Sequence, residues 1–195
     1  VIITFFSVGI YLIYTNRPHK KLSDKERKKQ QTNGIIILSV SIFLIILLFI
    51  ERASYSLNKK DLKVDPDLRT KMDIKKGRDI LIALSKFDNA QSIVIIDGYI
   101  HAIEAAEGTD QMLKRVIEIR KRNKTIHENK GVLIKMAKKN QSRLVDLPVL
   151  GPKTIEIVSK ANLASIALDP LSTLVLNKET FLKKAKKESI NLFLA

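Results

Sequence analysis

The 195-residue chain carries 35 Lys and Arg against 20 Asp and Glu, a formal charge of +15, with no cysteine and no tryptophan. Disulfides, thiolate nucleophiles and cysteine-ligated metals are excluded, and there is no aromatic platform for stacked bases. Lysine is spread along the whole length, and Ile and Asn are abundant beside it, so the charge reads as compositional bias and no nucleic-acid partner is expected.

Residue 1 is valine, so the chain starts at an alternative start codon or is a piece of a longer protein. Residues 1–50 read as one or two hydrophobic, transmembrane-like helices. The first apolar run is Val1–Tyr14. The second, Gly34–Ile50, is seventeen residues without a charge, at the short end of what spans a bilayer. Between them, residues 15–33 hold Arg17, Lys20, Lys21, Lys25, Arg27, Lys28 and Lys29 against Asp24 and Glu26. Such a basic loop belongs in the cytoplasm. A two-helix hairpin would then set everything after Ile50 on the outside.

Residues 51–72 read as a polar linker with a turn at Asp65-Pro66-Asp67. Asp73 is placed to cap a helix over about 74–87, with Ile74, Ile80, Leu81, Leu84 and Phe87 on one face. Ser92–Ile96 is a strand, Asp97-Gly98 a type I′ turn and Tyr99–Glu104 the hairpin partner. A helix follows over about 109–122, then a strand at 131–136. Pro152 opens a helix to about Asn162. Short strands at 164–168 and 173–176, a helix at 178–188 and a strand at 191–194 complete the pattern. The fold class is α/β: a single mixed-sheet domain with helices over 73–195, preceded by the hydrophobic segment.

Two clusters have the residue types for phosphate chemistry. Glu107-Gly108-Thr109-Asp110 lies where a strand ends and a helix begins. Thr109 can cap that helix, the helix N-terminus attracts an anion, and Gly108 lets a ligand approach the backbone. Glu104, Glu107 and Asp110 offer the oxygen ligands Mg²⁺ prefers. Ordinary helix capping accounts for the same residues. The second cluster is Lys135, Lys138, Gln141, Arg143 and Asp146. Its cations can neutralise a diphosphate and Asp146 can ligate a metal or position a water. A solvated loop would use the same residues. Gly151-Pro152-Lys153-Thr154 is a second helix start, facing a phosphate or simply turning. His19, His101 and His127 show no ligand spacing.

Five stretches go further: Asp73–Gln91, Ile103–Met112 (IEAAEGTDQM), Gly131–Lys135 (GVLIK), Val145–Thr154 (VDLPVLGPKT) and Ala161–Ala167 (ANLASIA). In these, the region from about Met72 to Ala195 resembles the C-terminal domain of the LpxI-type UDP-2,3-diacylglucosamine pyrophosphatases. The resemblance implies hydrolysis of UDP-2,3-diacylglucosamine to UMP and 2,3-diacylglucosamine 1-phosphate, a step of lipid A synthesis, with Mg²⁺ as cofactor. It implies a site lined by Glu107, Thr109, Asp110, Gln141, Arg143 and Asp146. Asp146 and Asp110 would be catalytic, and Glu107, Asp110 and Asp146 would hold the metal. Thr109, Lys138, Gln141 and Arg143 would bind substrate. It also implies work at the bacterial inner membrane with the domain on the cytoplasmic face, against the loop charges, and leaves room for a homodimer.

The family loop usually reads PKPxQDxRxDLP. Here residues 137–148 carry Ser142 at an acid's place and lack the first two prolines. The family's glycine-rich N-terminal domain is not recognisable. Two rival readings follow: a truncated or degenerate UDP-lipid-binding member without catalysis, and a basic membrane-surface module gripping anionic lipid through Lys20–Lys29 and the C-terminal lysines.

Overall fold

A computed structural model describes residues 23–63, 65–138, 147–170 and 172–195. It divides into two compact units, residues 1–54 and 55–195.

In the first unit, α1 (Asp24–Tyr55) is a 32-residue helix. It opens in charged residues and continues through the apolar run, where Ile35, Phe43 and Leu44 are among the exposed side chains. No helix among the described residues is long and apolar enough to cross a membrane. This overturns the expected transmembrane-like helix at 34–50. The reason is length: seventeen uncharged residues rise about 25 Å, against a hydrocarbon core of about 30 Å. Lys28 and Lys29 lie before the run and Glu51 and Arg52 after it. Val1–Tyr14 lies outside the described residues.

The second unit is a mixed α/β domain. Its five-stranded sheet has the order β2-β1-β3-β5-β7, from β1 (Ser92–Ile96), β2 (Tyr99–Ile103), β3 (Val132–Lys135), β5 (Ser165–Leu168) and β7 (Asn191–Leu194). β1 pairs antiparallel with β2 and β3; β3–β5 and β5–β7 are parallel. The parallel strands are nearly all apolar because helices cover both faces. On one face α2 (Leu68–Leu84) presents Ile74 and Leu81 to Ile93, Ile95, Val132, Ile134 and Phe193. On the other, α3 (Thr109–Arg122), α4 (Pro152–Lys160) and α5 (Lys178–Lys187) pack Met112, Leu113, Val116, Ile155, Val158 and Phe181 on Val94, Ile96, Leu133, Ile166 and Leu192. Odd residues of β1 face α2 and even residues face α3, the period of two a strand imposes. Each fully buried aliphatic side chain contributes about 1.5–3 kcal/mol. A two-stranded parallel sheet of β4 (Val149–Leu150) and β6 (Leu174–Val175) stands apart and fixes the approach to α4.

The start of α2 differs from expectation. Its N-cap is Asp67, whose carboxylate accepts from the Thr70 N–H at 3.0 Å and from the Thr70 hydroxyl at 2.6 Å. Residues 68–72, expected in the linker, belong to this helix. Asp73 lies inside it, buried, and accepts the Gly98 N–H at 2.8 Å. It ties α2 to the β1–β2 turn, where Asp97 and Gly98 both have positive φ, as the type I′ turn requires.

Burial pushes the Asp73 carboxyl above its ordinary value, the Gly98 N–H acting in opposition. The folded state therefore holds this proton more tightly than the unfolded one, and stability from this group falls as pH rises from about 4 through the folded-state value. Asp73→Asn keeps an oxygen for Gly98 and does not titrate. Urea unfolding from pH 3.5 to 7 should show the variant gaining on the wild type as pH rises. A constant difference across that range would contradict this account.

Candidate active site

Strand register brings five chain ends to one edge of the sheet. Ser92, which starts β1, faces Lys135, which ends β3; Lys135 faces Leu168, and Leu168 faces Leu194. β2 finishes there too, its exit fixed by the Glu104 N–H bonding the Ser92 carbonyl at 2.9 Å. This is the carboxyl edge of the parallel strands, where open α/β sheets bind ligands.

Two helices begin at this edge, each with a glycine as its N-cap residue. The N-cap of α3 is Gly108, at φ 78° and ψ 166°, with no side-chain cap bond. Nothing lies within 4 Å of where its Cβ would be. The N-cap of α4 is Gly151, whose N–H donates to Thr154 Oγ1 at 3.4 Å, and Pro152 at the first helical position has no N–H. The α3 start leaves main-chain N–H groups without helical acceptors, and each start adds the positive end of a helix dipole. Asp110 of α3 and Lys153 of α4 join the two starts, Oδ2 to Nζ at 3.0 Å. Lys153 is 75% exposed, so the pair adds little stability. Its significance is that the two helix starts share one mouth.

Thr109, expected as a cap, is instead the first helical residue. Its hydroxyl donates to Glu104 Oε1 at 3.1 Å and accepts from Lys135 Nζ. With that hydrogen given to Glu104, Ser92 Oγ, 3.2 Å away, is the donor to Thr109. Ser92 and Lys135 are buried. Burial pushes the Lys135 ammonium below its ordinary value, and the nearby Glu104 and Asp110 carboxylates oppose that. Glu104 Oε2 is buried with no hydrogen-bond partner.

The other expected residues sit as follows. Glu107 pairs with Arg115 at 2.5 Å, and Arg115 also donates to the Ile103 carbonyl at 3.0 Å. The Glu107 carboxyl is held below its usual range by its own main-chain N–H and then by Arg115. Lys138 donates to the Asp88 carbonyl at 2.8 Å and pairs with the Asp88 carboxylate at 3.1 Å. Thr109 and Asp110 stand together at the α3 start. Gln141, Arg143 and Asp146 lie outside the described residues, between Lys138 and Leu147.

Among the described residues no three metal-ligating side chains are gathered. The candidate oxygens are the unpartnered Oε2 of Glu104 and the carboxylate of Asp110, whose Oδ2 is engaged by Lys153. Two carboxylates fit the way Mg²⁺ binds, since waters and substrate phosphates supply its other ligands. Sequence reasoning missed Ser92. Its only signal is a hydroxyl opening an otherwise apolar strand.

The model of the LpxI C-terminal domain family matches residues 60–193. The UDP-2,3-diacylglucosamine pyrophosphatase LpxI of Caulobacter vibrioides is 35% identical over 132 residues, covering 67% of this chain and 46% of that relative. The match thus spans about half the length of that protein.

Proposed function

We propose a function from one premise: the chain belongs to the family of LpxI C-terminal domains. The proposed reaction is hydrolysis of UDP-2,3-diacylglucosamine to UMP and 2,3-diacylglucosamine 1-phosphate, a step of lipid A synthesis. The observation that carries it is the pair of glycine-capped helix starts, joined through Asp110 and Lys153 at the carboxyl edge of the sheet. The α3 start offers a diphosphate main-chain donors, and the two starts together offer positive dipole ends from two directions.

Water adds to one phosphorus and the bridging P–O bond breaks, so the bridging oxygen leaves with the other phosphate. The water proton passes to the Asp146 carboxylate in this reading. Thr109, Gln141 and Arg143 orient the diphosphate, and Arg143 offsets the growing negative charge. Asp110 and Asp146, with Glu104, would hold Mg²⁺, which when bound supplies Lewis-acid polarisation of phosphoryl oxygens. Glu107, engaged by Arg115, steadies the turn before α3.

The test is UMP release from UDP-2,3-diacylglucosamine by the purified full chain with Mg²⁺, beside Asp146→Ala. The wild type should release UMP, and the variant should be at least about 100-fold slower, as loss of a general base requires. A folded wild type that releases none would sink the reading and favour a binding-only member.

A further inference from the structure

Among the described residues the domain buries two cations, Arg120 and Lys135, and their environments differ. Arg120 is fully buried, and its two terminal nitrogens are engaged by main-chain carbonyls. Lys135 is 5% exposed, yet its ammonium makes one hydrogen bond, to Thr109 Oγ1. An ammonium has three donors, so two are unspent among the described residues. No carboxylate lies within ion-pair distance of it there; Glu104 and Asp110 act on it only at longer range. A buried charge left this way is unfavourable unless something completes it.

Position supplies the candidate. Lys135 ends β3 at the carboxyl edge of the sheet and bonds the first residue of α3. Thr109 is itself held by Ser92 and Glu104, so the ammonium is pinned at the helix start. Its two other N–H groups are thus held beside a helix start that has no side-chain cap.

We infer that Lys135 is a binding residue for the diphosphate, its two unspent donors meeting phosphoryl oxygens at the start of α3. The inference rests on the proposed hydrolase reading and adds a buried charge to the cations on which that reading relies.

The full-length wild type is compared with Lys135→Met and Lys135→Gln in two measurements: the Tm with and without inorganic pyrophosphate, and steady-state UMP release with Mg²⁺. Pyrophosphate should raise the wild-type Tm. The Met variant removes a buried charge at similar volume, so its Tm without ligand should equal or exceed the wild type's. It should lose the pyrophosphate shift, raise KM, and lower kcat/KM about 100-fold, as loss of two charge-assisted hydrogen bonds implies. A lysine serving the fold alone would give a lower Tm with the pyrophosphate shift and KM intact, and that result overturns the inference. Should Met fail to fold, Gln carries the same comparison. If the wild type releases no UMP, the hydrolase reading fails, while the pyrophosphate shift still decides the role of Lys135.

Discussion

Arg120→Ala should remove most of the stability of the 55–195 unit, by about 4 kcal/mol or more, which lowers Tm by about 10 °C or more. The guanidinium gathers five main-chain carbonyls from separate segments. Those of Thr125 (2.7 Å) and Glu128 follow α3, that of Lys130 precedes β3, and those of Ala161 (2.7 Å) and Asn162 (2.9 Å) follow α4. It closes the ends of two helices with one side chain. Burial pushes its pKa down, with Glu128 opposing. Truncation leaves a cavity and several buried acceptors without donors, and both effects destabilise. Arg120→Met fills much of the cavity but supplies no donor, so it should recover only a minor part of the loss. Urea and thermal unfolding of both variants test this; either variant within about 1 kcal/mol of the wild type would refute the staple.

Nothing in the local sequence marks Arg120 for this role. It follows Ile117 and Ile119 and precedes Lys121 and Arg122, so it reads as one more cation on a solvated helix face. Only the return of the chain at Ala161 and Asn162 gives it acceptors, and that contact is remote in sequence. Asp73 reads as a cap for the opposite reason. Asp67 and Thr70 form the real cap three residues apart, but Asp67 also fits the Asp65-Pro66-Asp67 turn, and Asp73 precedes an apolar face just as a cap would. Apart from β4 (Val149–Leu150), the strands and α3 are legible at close to their final bounds because their signals are local: an unbroken apolar run for Ser92–Ile96, a turn dipeptide at Asp97-Gly98, and Met112, Leu113 and Val116 at helical spacing. The apolar run at 34–50 gave a sound helix signal, but its length did not suffice for a membrane span. Of the candidate site, the Glu104–Asp110 stretch leads from the end of β2 into α3 at the carboxyl edge of the sheet. The link between Asp110 and Lys153 was not legible, because it depends on where α4 begins.

The second large effect is on activity. Gly108→Ala should lower UMP release at least about 100-fold while costing only about 1–3 kcal/mol of stability. Gly108 has φ 78° and ψ 166°, a backbone state that glycine alone adopts without strain, and its missing Cβ would point into open space. An alanine there folds with strain, and its methyl occupies the approach to the α3 N–H groups that the proposed diphosphate needs. Gly98 separates the two effects. It has φ +77° and equally open surroundings, but it lies in the β1–β2 turn, at the end of β1 away from Ser92. Gly98→Ala should thus lose comparable stability and keep UMP release within about threefold of the wild type. Activities are compared well below the Tm of each variant. Equal losses of activity in the two would mean that Gly108 matters only for folding, and the α3 start would no longer stand as the diphosphate site.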